Sequence, residues 1–102
     1  MKLLIIATIK EHTTALSKLL KKESIPVFSI VDAIGIKNLV DEDLTDDWFG
    51  RGVGEFESSF IISFLQDQLI DKTLSAINVF NQEGTKDFPV RAFVLSVDKT
   101  LN

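Results

Sequence analysis

The residues with the most chemistry to offer lie together between Lys37 and Glu57. Asp41, Glu42, Asp43, Asp46 and Asp47 place five carboxylates in seven positions. Oxygen donors of this kind can hold a hard divalent cation. Their spacing does not match an EF-hand loop, which needs a central glycine and a terminal glutamate at fixed offsets. A solvated acidic surface is therefore the plainer reading. Trp48, the only tryptophan, is followed by Phe49, and such a pair can pack at an interface, anchor a partner or stack on a ligand ring. Packing at an oligomer or partner interface is the favoured role. Asp46, Asp47, Trp48, Phe49 and Arg51 thus form the candidate partner-binding set. Gly50-Arg51-Gly52-Val53-Gly54 is no dinucleotide fingerprint, because no strand precedes it and no helix follows. Its glycines serve flexibility.

Elsewhere the chemistry is sparse. His12 is the only histidine, and it has no evident partner for ligation or proton transfer. The plain expectation is an exposed histidine at a helix start. Serine and threonine are plentiful, but there is no G-x-S-x-G elbow, and no cysteine to act as a thiolate nucleophile or ligand. These absences argue for a chain that is not an enzyme.

The elements that must position these residues follow from periodicity. Leu3 to Ile9 is apolar on both alternating sets, as in a central strand covered on two sides. Thr13 or Thr14 can cap a helix whose Ala15, Leu16, Leu19 and Leu20 fall at helical spacing. Ser24-Ile25-Pro26 stops it, since proline disfavours helical geometry in the residue before it. Val27 to Ile36 reads as a second strand, with Gly35 marking a bend or a close backbone approach. Ser58 to Leu65 is a third, with Phe60, Ile62 and Phe64 on one face and Ser59, Ile61, Ser63 and Leu65 on the other. Asp67 caps a second helix to about Gln82, buried through Ile70, Thr73, Leu74, Ile77 and Phe80, and Gly84 is its stop. Val90 to Val97 is the last strand.

The order β-α-β-β-α-β predicts an α+β, ferredoxin-like sandwich, an antiparallel four-stranded sheet with two helices on one face. Residues 1–102 make one domain of ordinary size. Segment 37–57 joins two neighbouring antiparallel strands, for which two to five residues suffice, so its length points to a function. The helices leave one sheet face bare, and both candidate faces carry large apolar residues. Self-association is the expected consequence.

Composition narrows the partners. A net charge of −4 and a pI near 4.8 offer no basic stripe for a phosphate backbone, which disfavours nucleic acid. No run approaches the roughly 20 apolar residues of a membrane span. Met1 to Ile9 starts as an export signal does, but it is short, is broken by Thr8, and leads into Lys10, Glu11 and His12 without a cleavage site. The absence of cysteine is compatible with a reducing cytoplasm, the compartment expected for this chain.

Several stretches together resemble the PII signal-transduction superfamily, across nearly the whole chain. Met1-Lys2-Leu3-Leu4-Ile5-Ile6 resembles its first strand. Val31-Asp32-Ala33-Ile34-Gly35-Ile36-Lys37-Asn38 is similar to the strand and glycine turn before its long T-loop, here 37–57. Gln82-Glu83-Gly84 is similar to its Q-T-G, and Phe93-Val94-Leu95-Ser96-Val97 to its closing strand. The resemblance implies a homotrimer with inward-packed sheets that senses a small ligand, often an adenine nucleotide, between subunits. It also implies a T-loop that reports to a partner, commonly a membrane transporter or a metabolic enzyme. Gly35, Lys37, Asn38, Gly84 and Arg91 are the ligand-binding residues it implies here.

The sequence departs from the family in definite places. Thr85 to Val90 holds no glycine where phosphate-binding members have a glycine-rich B-loop. The glutamine after the turn glycine is absent, the basic carboxyl-terminal segment is reduced to Lys99, and there is no tyrosine to modify. PII-like is thus the closer description, with the ligand itself unassigned. Two other functions share the topology: a CutA-like, metal-responsive trimer using the acidic loop or His12, and a dimeric α+β barrel enzyme. The second lacks a well-placed histidine and any tyrosine.

Overall fold

The computed structural model describes residues 1–36, 55–84 and 88–102. Its elements are β1 (Lys2–Ile9), a 3-10 turn (Lys10–His12), α1 (Thr13–Lys22), β2 (Ser29–Ile36), β3 (Glu55–Leu65), α2 (Asp67–Gly84) and β4 (Arg91–Ser96). The strands form one antiparallel sheet in the order β2-β3-β1-β4. The ferredoxin-like α+β architecture expected from the sequence is present.

Strand alternation divides the sheet into two faces. Leu4 and Ile6 of β1, with Ile61 and Leu65 of β3, point to the helices and are buried. They meet Leu16 and Leu20 of α1, Ile70 and Ile77 of α2, and Ile25 and Val90 from the connections. Each such side chain contributes about 1.5–3 kcal/mol of burial. Ser59 and Ser63 share this face and are also buried. The Ser59/Ile61/Ser63/Leu65 set is therefore the covered one, and Phe60, Ile62 and Phe64 lie on the bare side.

Where element ends differ from expectation, side chains have taken the backbone groups. Val27 lies outside β2 because its carbonyl accepts from the Ser63 hydroxyl at 2.6 Å. Val90 precedes β4 because the Asn81 amide holds both its N–H (2.8 Å) and its carbonyl (2.9 Å). β3 starts at Glu55, three residues ahead of the expected Ser58, and Gly84 is the last residue of α2 rather than a stop beyond it.

Neither threonine caps α1. The 3-10 turn runs directly into the helix, so its first amides are already engaged, and Thr13 instead donates its hydroxyl to Ser59 Oγ at 3.0 Å. The far end of α1 closes in a Schellman motif. The Ile25 N–H reaches the Leu20 carbonyl, the Ser24 N–H reaches that of Lys21, and Ser24 sits at φ 63°. Ile25 and Leu20 pack together in the core beneath it.

Candidate functional site

No described residue covers the second face of the sheet, which is largely apolar, with the polar Ser29 and Arg91 on its two edge strands. The register aligns Val31, Phe60, Ala7 and Arg91 in one row, Ser29, Ile62, Ile5 and Phe93 in the next, and Phe64, Leu3 and Leu95 in a third. Phe64 is 59% exposed, Phe93 52% and Leu95 48%. The same side chains in β1 are only half-buried. A continuous apolar surface of this kind marks an interaction site. It is built by the alternation that buries Leu4 and Ile6 on the other side.

Beyond this face, β2 and β3 continue as a two-stranded stalk. β1 stops pairing with β3 at Ile9 and Ser58, while β2 and β3 go on through Ile34–Glu57, Gly35–Phe56 and Ile36–Glu55. Gly35 is therefore directly opposite Phe56, and a Cβ on it would collide with the far edge of the Phe56 ring, at Cζ and both Cε atoms. Only glycine leaves room for the edge of that ring here. At the foot of the stalk Lys10 and Asp32 pair at 3.8 Å beside an open cavity of about 290 Å³ that Ile34 and Glu57 also line. Both charged groups are largely exposed, so the pair adds little stability.

The described ligand-site candidates gather at one end of the sheet but not at one point. Gly35 is on β2 and Arg91 opens β4, the two edge strands, with β3 and β1 between them. Three strand spacings of roughly 4.8 Å separate them in one chain. Gly84 ends α2 at the same end, with no atom near its would-be Cβ, and Asn81 ties that last turn to the start of β4. Lys37, Asn38, Asp46, Asp47, Trp48, Phe49 and Arg51 lie outside the described residues, as do the acidic residues 41–47. Among the described residues no group of three or more His, Cys, Asp or Glu is arranged for a metal ion.

His12 departs from expectation. It is half-buried, because the 3-10 turn folds its ring edge-on against Phe80, with centroids 5.6 Å apart. Its Nε2 is enclosed without a hydrogen-bond partner among the described residues, and so is the hydroxyl of Thr8. Sequence reading also missed Phe56, which was counted as loop. The signal was there: Phe56, Phe60, Ile62 and Phe64 share one strand parity, which extends the strand past Ser58. On the helical side, α1 and α2 leave an open groove of about 460 Å³, lined by residues including Leu19, Val79 and Phe80.

No family model and no curated protein matches the sequence. The fold is similar to that of CPII, a nitrogen regulatory PII-like protein from Thiomonas intermedia K12, in its structure bound to ADP, AMP and bicarbonate. The two chains are 17% identical, with a TM-score of 0.62 over 98% of this chain and 94% of that one. A second CPII structure, bound to ADP, AMP and acetate, gives the same TM-score of 0.62 and 17% identity over 91% and 81%. The likeness spans nearly the whole chain and agrees with the PII-like resemblance of the sequence. At this identity it is a likeness of fold. No helix among the described residues is long and apolar enough to cross a membrane.

Proposed function

We propose that the protein, which has the fold of a PII-like regulator, is a homotrimer that senses a small ligand between its subunits. Segment 37–57 reports that ligand to a partner protein. The observation that carries this reading is the bare apolar face, with Phe60, Phe64, Phe93 and Leu95 exposed on a sheet that nothing described covers. A ring of copies closed by one repeated contact buries such a face in every subunit. In this reading the β2 edge of one copy lies beside the β4 edge of the next. Gly35, Lys37 and Asn38 of one subunit then approach Gly84 and Arg91 of its neighbour, a meeting that a single chain does not provide.

Adenine nucleotides are the first ligands to test, since both CPII structures contain ADP and AMP. The glycine-free segment after Gly84 argues for a phosphate contact made by side chains, Arg91 above all, rather than by close backbone approach. Asp46, Asp47, Trp48, Phe49 and Arg51 are the partner-facing residues in this reading. The partner class is a membrane transporter or a metabolic enzyme, the chain itself performs no catalysis, and its compartment is the cytoplasm.

The test is light scattering on the purified chain at micromolar concentration, followed by thermal unfolding with ATP, ADP, AMP and bicarbonate. A trimer whose melting temperature rises with one of these ligands is the expected result. A monomer would overturn the proposal.

A further inference from the structure

Asn81 is a polar residue at a core position. Helix α2 faces the sheet through Ile70, Thr73 and Ile77, and Asn81 is the next position on that stripe, one turn after Ile77. Its side-chain amide grips both backbone groups of Val90. Nδ2 donates to the Val90 carbonyl at 2.9 Å, and Oδ1 accepts from the Val90 N–H at 2.8 Å. Within a sheet a neighbouring strand supplies such a pair of bonds. Here the β1–β4 ladder reaches no further than Ala7 and Arg91, and a helix side chain takes over at the next residue.

Val90 is held by more than this pair. Its side chain lies in the core at 4% exposure, and Pro89 before it has a fixed φ. Arg91 follows directly and faces the other way, onto the side of the sheet that carries Phe93 and Leu95. Its backbone is therefore anchored on both sides, by Asn81 at Val90 and by its own pairing with Ala7. The chain has no glycine between Gly84 and Arg91, so close backbone approach to a phosphate is disfavoured there. A side chain has to make that contact instead, and its precision depends on how firmly its backbone is held.

We propose that Asn81 is a positioning residue of the ligand site. By fixing Val90 it aims Arg91 at a nucleotide phosphate, and the two residues together set the preference for phosphorylated over unphosphorylated ligands. Asn81 itself touches no ligand. This role rests on the nucleotide-sensing reading proposed above.

The test is calorimetric titration of the full chain with ADP and with adenosine, in the wild type, Asn81→Leu, Arg91→Ala and N81L/R91A. Circular dichroism and light scattering establish that each variant keeps the fold and the wild-type mass. Asn81→Ser, which leaves room for water to reach the Val90 backbone, replaces N81L should the latter fail to fold. N81L is expected to weaken ADP binding about tenfold, the loss of one charge-assisted hydrogen bond. R91A should weaken it at least as much, and the double variant should bind no more weakly than R91A. Any affinity for adenosine should stay unchanged in N81L. A wild-type chain that binds no ADP would overturn the nucleotide reading and this role with it. A wild type that binds ADP, with N81L unchanged, with the two losses additive, or with adenosine weakened equally, would overturn the role of Asn81 alone.

Discussion

The ring of Phe56 occupies the space that a side chain at Gly35 would need, directly across the two strands of the stalk. Gly35 is not in the left-handed region, so the demand for glycine is purely steric. Gly35→Ala is therefore expected to lower stability by about 1–3 kcal/mol through overpacking. Phe56→Ala in the same chain should relieve most of that loss. Urea denaturation of the single and double variants measures the coupling, and simple additivity would rule the contact out.

Ser24 ends α1 at φ 63°, where a side chain is strained and glycine is not. Ser24→Gly should raise stability by about 0.5–1 kcal/mol, the strain relief exceeding the added entropy of the unfolded chain. The denaturation midpoint should move up with an unchanged slope.

Thr8 is 1% exposed and its hydroxyl has no hydrogen-bond partner among the described residues. Thr8→Val keeps the β-branched shape and removes the stranded oxygen, so a gain of about 1 kcal/mol is expected. A loss measured by thermal unfolding would mean that the hydroxyl is satisfied in solution.

Phe93 and Phe64 stand exposed on the bare sheet face in neighbouring rows, on β4 and β3 with β1 between them. Phe93→Glu and Phe64→Glu should convert the proposed trimer to monomers while leaving the far-ultraviolet circular dichroism unchanged. Sedimentation that still shows the wild-type mass would place the interface elsewhere.

Much of this architecture was legible in the residues themselves. Leu3 to Ile9 is apolar at every alternation, and Ile70, Thr73 and Ile77 recur at helical spacing, so strand and helix announced themselves through burial. Long-range choices were less visible. Which face of Ser58–Leu65 is covered depends on where the helices cross, and Ser59 is buried because Thr13, 46 positions away, meets it. His12 looked exposed because no periodicity announces a 3-10 turn that tucks its ring against Phe80. The candidate ligand site was least legible, because Gly35 and Arg91 are on opposite edges and nothing local in either segment encodes the distance between them.

The central position of β1 sets the order of folding. It is made before the other three strands of the sheet, yet its two partners are β3 and β4, and the Lys2 side chain bonds Ser96, 94 residues later. Loop closure must come before these contacts can stabilise anything, so the chain is expected to fold slowly for its size. During synthesis, an apolar strand bare on both sides waits for β3 and β4 to emerge. A polypeptide of this topology spends its most aggregation-prone interval on the ribosome, and holdase chaperones that bind extended apolar segments should find β1 first.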